Sequence, residues 1–255
     1  MPGLDPITLC AYGLVAVVAG FVDTLAGGGG LITIPALLLG GVAPLQALGT
    51  NKLQGTFGVL TASLSLAGES RLGARSLVLP FALVLVGAAL GAALVQTIDP
   101  RDLDVLVPVV LSAIALYFIA APRAGEVEQQ PRLGERPYTA LVLPAIGFYD
   151  GFFGPGAGSF FALSGVSLRG WDLVRATASA KVFNLASNLA ALGIFVWHGR
   201  VVWPIGVAMA LGQLVGARLG ASVVTRRGAR IIRPMIVVVS VTMLCRYAWQ
   251  KGLLG

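Results

Sequence analysis

The sequence is poor in charged side chains and in residues that bind metals. Asp, Glu, Lys and Arg make up 11% of the 255 residues, whereas about a quarter of an ordinary soluble domain is charged. There is one histidine, His198, and the two cysteines, Cys10 and Cys245, lie far apart in apolar surroundings. These scarcities argue against a soluble domain and a histidine–cysteine metal site. We therefore expect no metal and no cofactor.

Motifs of enzyme chemistry are also missing from the sequence. It has no Walker sequence for a nucleotide and no Gly-x-Gly-Asp, the motif of intramembrane aspartyl proteases. Basic residues outnumber acidic ones, 18 to 11, but they are scattered in loops between apolar segments. This pattern is typical of orientation in a membrane rather than of nucleic-acid binding. We predict neither an enzyme nor a nucleic-acid partner.

Long apolar segments dominate the sequence instead, with 56% hydrophobic residues and a mean hydropathy of +0.87. Several are long enough to cross a bilayer as a helix. They predict an all-α polytopic membrane protein with about eight full spans and two short half-helices. The first segment lacks the basic start of a signal peptide, so we expect it to be retained. The segments are 7–26, 31–48, 50–67, 76–98, 103–121, 138–153, 158–168, 176–197, 201–224 and 234–250.

The chain contains two similar halves. Gly-Phe-Val-Asp at 20–23 runs into four glycines at 27–30, and Gly-Phe-Tyr-Asp at 147–150 runs into the glycine-rich stretch 154–158. Such duplication, with broken helices meeting near the midplane, is typical of secondary transporters. The predicted units are a first transmembrane repeat at 1–121, a cytoplasmic linker at 122–137 and a second repeat at 138–255.

The segment after each glycine-rich stretch is short. Only about nine apolar residues follow, at 31–39 and again at 159–168, and at about 1.5 Å per residue they cover roughly half a membrane. We expect half-helices here, beginning at the glycines. Their freed backbone groups must then face protein or water rather than lipid.

The distribution of basic residues predicts the orientation of the two halves. If the halves are inverted, 11 loop Lys and Arg residues lie in the cytoplasm and 4 outside. If the halves are parallel, the division is 7 and 8. Because basic residues concentrate on the cytoplasmic side, the inverted arrangement is favoured. It places both termini outside.

Asp23 and Asp150 are the candidate proton-coupling residues. Carboxylates at membrane depth are energetically costly and commonly mark a pathway. The alternative is a structural role, in which each carboxylate binds nearby backbone or lies at an interface. Their matched positions before the two glycine-rich stretches favour the functional interpretation.

Lone lysines and polar residues follow the same stretches. The lysines would hold an anion or, alternatively, extend to the membrane interface. The glycines would let half-helix N-termini approach an anion or, alternatively, would allow close helix packing. The asparagine side chains would line a pathway or, alternatively, form hydrogen bonds between helices. The candidate substrate-binding residues are Gly27, Gly28, Gly29, Gly30, Thr50, Asn51, Lys52, Gly154, Gly156, Gly158, Ser159, Lys181, Asn184, Asn188 and Arg218.

These motifs resemble a known family. Gly-Gly-Gly-Gly-Leu-Ile-Thr-Ile-Pro at 27–35, Ala-Leu-Gly-Thr-Asn-Lys at 47–52 and their echoes at 154–159 and 176–181 resemble the TauE/SafE sulfite exporter family over the whole chain. The stretch 147–155 resembles its large, poorly characterised bacterial branch. The resemblance implies a carrier in the bacterial plasma membrane, an exporter with sulfite, sulfonates or related organic anions as substrates.

The residues by themselves predict less than the resemblance implies. They indicate a paired site suited to a small anion, in a protein surrounded by the lipid bilayer. An anion channel and a membrane subunit without transport activity remain as alternatives. No feature of the sequence predicts an oligomeric state, a coupling ion or a direction of transport.

Overall fold

A computed structural model describes residues 5–70, 73–99, 102 and 130–227, and this part of the chain is helical without any strand. The all-α prediction is thereby confirmed. The predicted spans 103–121 and 234–250 lie outside the described residues. The main helices are α1 (Pro6–Ala26), α2 (Gly30–Leu39), α3 (Pro44–Ser65), α4 (Ala74–Val95), α5 (Leu143–Phe152), α6 (Ala157–Arg169), α7 (Leu173–Trp197) and α8 (Trp203–Arg227).

Four of the described helices are long and apolar enough to cross a membrane: α1, most of α4, α7 and α8. Helix α3 has a similar length, 22 residues, but it carries more polar side chains. Helix α5 is extended at its start by a short helical turn, Glu135–Pro137, and a π-helical turn, Tyr138–Val142. The total number of spans in the chain stays a prediction.

Two short helices follow the glycine-rich stretches, as the sequence predicts. Helix α1 ends at Ala26 and is capped by Gly27, whose φ of 74° suits glycine, and α2 then has only 10 residues. Helix α6 has 13 residues and begins after Gly156, which has a φ of 78°. A helix of 10 residues is about 15 Å long, roughly half the hydrocarbon core.

The predicted boundary between 48 and 50 is wrong. Helix α2 ends at Leu39, and α3 begins at Pro44 and continues through residue 50, because proline is well accommodated in the first turn of a helix. Helix α7 likewise begins earlier than predicted, after Asp172, whose side chain accepts a hydrogen bond from the Arg175 N–H at 2.9 Å. Lys52 and Lys181 therefore lie in the interior of long helices rather than at their starts.

The two halves are interleaved through glycine-lined helix crossings. The first helix of the chain, α1, packs along α8, where a Cβ on Gly216 would lie 2.0 Å from the Val17 carbonyl oxygen. The first helix of the second half, α5, packs along α4, where a Cβ on Gly91 would lie 2.0 Å from the Phe148 carbonyl oxygen. Small residues permit this close approach of backbones. Each half thus packs its first helix on the fourth helix of the other.

Helices α3 and α7, which hold equivalent places in the two halves, cross at the centre. Gly55 faces the Asn188 side chain, and Gly49 faces the Phe195 ring further along α7. Residue numbers therefore run in opposite directions along the two helices, so that α3 and α7 are antiparallel.

Several of the loops that contain arginine residues begin or end at the same end of the helix bundle, as the packing of the residues beside them shows. Leu66, Leu173 and Val224 belong to one buried cluster at the end of α3, the start of α7 and the end of α8. The residues before α5 join them, since the Leu133 N–H donates to the Leu168 carbonyl oxygen at 2.9 Å. We call this the basic end of the bundle.

Candidate functional site

The lysine of each half forms a buried ion pair with the aspartate of the other half. Lys52 in α3 lies 2.5 Å from Asp150 Oδ1 in α5 and also donates to the Asp150 backbone carbonyl at 2.5 Å. The two residues are 1% and 2% exposed. The other carboxylate oxygen of Asp150 accepts a hydrogen bond from the Ser187 hydroxyl in α7.

The second ion pair joins Lys181 in α7 to Asp23 in α1. Lys181 Nζ lies 3.1 Å from Asp23 Oδ2 and also donates to the Asp23 carbonyl oxygen. Asp23 Oδ1 accepts the backbone N–H of Gly29 at 3.0 Å, immediately before α2. The positive end of α2 is thus already opposite a carboxylate of the protein itself.

Interface snorkelling, the alternative for the two lysines, is wrong. Each lysine is only 1% exposed, and its ammonium contacts both a side chain and a backbone carbonyl near the end of an interrupted helix. Truncating one partner of such a buried pair typically costs about 3–5 kcal/mol, because the other charge is left uncompensated. The sequence showed matched charges but not that they pair across the halves.

The two glycine-rich breaks contact each other. A Cβ on Gly27 would lie 2.2 Å from the Ser159 backbone nitrogen, so only glycine allows the backbones to meet there. The Ser159 hydroxyl donates to the Ala26 carbonyl oxygen across the same contact. These residues close the junction between α1 and α6. Gly158 and Ser159 thus join the halves rather than face the cavity.

A cavity of about 30 Å³ lies between the breaks and the two central helices. This volume holds about two water molecules, so the described conformation has no room for a larger organic anion. The residues around it come from both halves. They are Asp23, Gly27, Gly30, Asn51, Lys52, Gln54, Gly55, Val59, Asp150, Gly154, Gly156, Asn184, Asn188 and Gln213.

Hydrogen bonds between side chains orient the polar wall formed by α2 and α3. The Thr33 hydroxyl donates to Asn51 Oδ1 at 2.6 Å, and Gln54 Nε2 donates to Asn51 Oδ1 at 2.9 Å and to Thr33 Oγ1 at 3.1 Å. On the opposite wall, Asn188 Nδ2 donates to the Asn184 carbonyl at 2.8 Å and to its side-chain oxygen. These bonds leave the Nδ2 groups of Asn51 and Asn184 without a partner among the described residues.

Most of the predicted site residues are brought together, but some lie elsewhere. Arg218 is exposed on the outer face of α8 and does not line the cavity. The buried Thr50 accepts the Val202 N–H at 3.0 Å, which fixes the start of α8 against α3. The other predicted residues outside the cavity lining are Gly28, Gly29, Gly158, Ser159 and Lys181.

Gln213 is a polar cavity residue that the sequence analysis did not predict. It is 2% exposed in α8, and a Cβ on Gly58 would lie 2.3 Å from its Cγ, so glycine in α3 makes room for its side chain. The sequence signal that could have predicted it is a single amide side chain within the apolar span 201–224, with small residues nearby. Gln54, Gly55 and Val59 were not assigned to the site either, and the last two carry no polar signal.

Comparison with known proteins identifies the family. The profile of the family described as sulfite exporter TauE/SafE matches residues 12–247. The chain belongs to the TauE/SafE family. The predicted resemblance is thereby confirmed over most of the chain.

Curated relatives of this TauE/SafE protein bear the names of transporters. It is 47% identical to the probable membrane transporter protein ORF9 of Sinorhizobium sp. over 91% of this chain and 89% of the relative. It is 44% identical to a probable membrane transporter protein of Haemophilus influenzae over 93% of each chain. It is 42% identical to the probable membrane transporter protein YfcA of Escherichia coli K12, over 97% of this chain and 92% of the relative.

The family, these relatives and the apolar helices together identify a multi-pass membrane transporter rather than an enzyme. No solved structure matches the chain.

Proposed function

We propose that the protein is a secondary transporter of a small anion, an exporter in the bacterial plasma membrane, with its site at the junction of the two halves. The observation that carries the proposal is the Lys52–Asp150 ion pair, which is buried, joins the halves and lines a polar cavity. Lys52 supplies the positive charge for the anion. The free amide N–H groups of Asn51 and Asn184 add neutral donors.

Stability alone gives little reason for these ion pairs. Burying two charges costs desolvation energy that their attraction only partly offsets, and well-packed apolar residues of similar volume are often neutral or stabilising by about 1–4 kcal/mol in their place. Two such pairs, each joining the two halves, therefore favour a role in binding or in conformational change.

We propose that the halves form an inverted repeat, with the basic end in the cytoplasm and both termini outside. The antiparallel course of α3 and α7 supports inversion, since a rotation that relates equivalent antiparallel helices must reverse their direction. The shared location of Leu66, Leu173 and Val224 supports one basic end. A reporter fused to the C-terminus tests the orientation. Activity of a reporter that works only in the cytoplasm would contradict it.

The Asp150 carboxylate and a bound anion would compete for the Lys52 ammonium, and this competition provides a mechanism for proton coupling. When Asp150 is ionised, its carboxylate already neutralises the Lys52 ammonium, and it repels an anion in the cavity. A proton on Asp150 removes both effects, so proton and anion binding favour each other, and by linkage each strengthens the other equally. Asp23 is the second proposed proton-coupling residue, because its carboxylate also lines the cavity.

Transport in proteoliposomes tests the function. The purified protein is reconstituted and loaded with unlabelled sulfite or a sulfonate, and entry of the labelled anion is followed with and without an imposed pH gradient. We expect saturable counterflow that responds to the gradient and is lost in Lys52→Met. Flux that rises linearly with concentration and ignores the gradient would indicate an anion channel instead. No flux of any tested anion would favour a structural subunit.

A further inference from the structure

Tyr149, the residue before Asp150 in the Gly-Phe-Tyr-Asp motif, is bound to the second glycine-rich stretch. Its hydroxyl donates to the Pro155 carbonyl oxygen at 2.5 Å. Its ring packs edge-on against Phe160 near the start of α6, with the ring centroids 5.3 Å apart and the planes at 77°. One side chain of α5 thus reaches across the break and contacts the helix that follows it.

The first break is held by a different side chain. There the Asp23 carboxylate accepts the Gly29 N–H at 3.0 Å. The Asp150 carboxylate instead accepts from Lys52 and Ser187, and from no backbone N–H of the described residues. The second break therefore lacks the bond by which the aspartate holds the first.

The sequences of the two breaks agree with this difference. Gly154 and Gly156 have φ values of 100° and 78°, which glycine adopts easily but at a large cost in conformational entropy. Pro155 between them has no N–H to donate, so its carbonyl oxygen is the group available to a side chain. Counted from the two aspartates, Val22 holds the place of Tyr149 in the first half, and it has no hydroxyl. A hydroxyl thus does in the second half what a carboxylate does in the first.

This difference matters when Lys52 changes its partner. Lys52 donates both to the Asp150 carboxylate and to the Asp150 backbone carbonyl, and both bonds weaken if a bound anion attracts the ammonium. The bond donated by the Tyr149 hydroxyl involves neither group. It can therefore hold Gly154 and Gly156, which line the cavity, while the ion pair rearranges.

We propose that Tyr149 is a positioning residue for anion transport. Its hydroxyl keeps the second glycine-rich stretch in place, so that Lys52 and Asp150 exchange partners without displacing the cavity wall. Tyr149 itself does not line the cavity, so it acts through the backbone rather than on the anion. The proposal rests on the proposed function, because it concerns the same site.

Hydrogen exchange of the full-length protein in detergent, without ligand, tests the Tyr149–Pro155 hydrogen bond. Tyr149→Phe keeps the ring on Phe160 and removes only the hydroxyl. We expect the amides of residues 156–160 to exchange about fivefold faster in this variant, as the loss of one hydrogen bond implies. The amides of residues 28–33 at the first break should exchange as in the wild type. Unchanged exchange at 156–160 would overturn the proposal whether or not any anion binds.

Tyr138→Phe is the matched control. The Tyr138 hydroxyl also bonds to α6, with the Ser164 hydroxyl 3.0 Å away, but neither residue lines the cavity. Both variants should unfold at a somewhat lower temperature than the wild type. Only Tyr149→Phe should exchange faster at 156–160 and bind sulfite or ethanesulfonate more weakly, by about two- to tenfold, in a thermal-shift titration.

The outcomes separate this proposal from the proposed function. Equal losses of anion affinity in the two tyrosine variants would overturn the proposal, because the hydroxyl would then act only through overall stability. Faster exchange in Tyr149→Phe without any loss of affinity would also overturn it, because the break would not position the cavity. Failure of the wild type to bind either anion would contradict the proposed function, and with it the role of Tyr149 in binding, while the exchange result would still report the hydrogen bond separately.

Discussion

The two ion pairs use the same residue types in equivalent helices but have different surroundings. Lys52 and Asp150 both line the cavity, whereas Lys181 does not. Asp23 accepts the Gly29 N–H before α2, while Asp150 accepts the Ser187 hydroxyl. In the Lys181–Asp23 pair, therefore, only the aspartate lines the cavity, and its carboxylate is also bound to a backbone N–H.

The position of the lysines along the bundle adds to this difference. Lys181 lies one turn before Asn184, nearer the start of α7 and thus nearer the basic end. Lys52 lies among the cavity residues of α3. We propose that the Lys52–Asp150 pair serves anion binding, whereas the Lys181–Asp23 pair holds the helices together nearer the basic end of the bundle.

The largest expected effect separates the two lysines. Lys52→Met and Lys181→Met should each lower the free energy of unfolding by about 3–5 kcal/mol, because each leaves a buried aspartate unpaired. Only Lys52→Met should also weaken anion binding, by about 30-fold or more. Chemical unfolding and ligand titration of both variants measure this. Equal loss of affinity in the two would mean that the pairs are equivalent.

The double variant Lys52→Met/Asp150→Asn serves as the control for folding. It removes both charges together, so most of the lost stability should return while binding stays weak. Recovery of binding together with stability would show that the lysine acts only through the fold.

The next effect concerns pH and the two aspartates. Anion affinity in the wild type should rise as pH falls, by at most about tenfold per unit for one coupled proton. Asp150→Asn should flatten this dependence, and Asp23→Asn should change it less, because the Asp23 carboxylate is engaged by Gly29 and Lys181. Titration with a sulfonate between pH 5 and 8 measures the slopes. Unchanged slopes in both variants would make the aspartates structural.

A smaller effect is expected from the polar wall on α7. Asn188 and Asn184 occupy the places that Val59 and Gly55 hold in α3, counted from the two lysines. Asn188→Val should weaken binding by about two- to tenfold, since it removes the donor that orients Asn184. Val59→Ala trims the opposite wall without removing a polar group and should leave affinity within about twofold. A larger loss of affinity in Val59→Ala than in Asn188→Val would contradict the proposal that Asn184 and Asn188 contribute to anion binding.

The smallest effect is expected at Arg218. Its side chain is exposed on the outer face of α8, so Arg218→Gln should change the affinity for the anion by less than about twofold and the free energy of unfolding by at most about 0.5 kcal/mol. Ligand titration and unfolding of this variant check both values. A loss of binding comparable to that of Lys52→Met would return Arg218 to the site.

Local sequence signals predicted the parts of the fold that depend on local chemistry. The glycine-rich stretches predicted the helix breaks, where Gly27 and Gly156 have positive φ. The short apolar segments after them predicted α2 and α6. Matched residues also predicted most of the cavity lining. The boundary near residue 48 was missed because Pro44 was interpreted as part of a continuous apolar segment rather than as the first residue of α3.

Partner choice could not be predicted, because it depends on how the halves interleave. The spacing of Asp23 and Lys52 is compatible with a pair inside one half, yet each lysine contacts the aspartate of the other half. The close packing of α1 on α8 and of α4 on α5 brings these residues together. Gln213 was missed for the same reason, since its helix, α8, reaches the site only because the two halves interleave.

Proton uptake on ligand binding tests the central claim most directly. A sulfonate that stays fully ionised is added to the purified protein in weakly buffered solution, and the change in pH is recorded. The account predicts that the wild type takes up as much as one proton per bound anion, that Asp23→Asn takes up nearly as much, and that folded Asp150→Asn takes up far less. Binding of the anion without proton uptake in the wild type, or equal uptake in Asp150→Asn, would contradict the assignment of the Lys52–Asp150 pair as the coupled site.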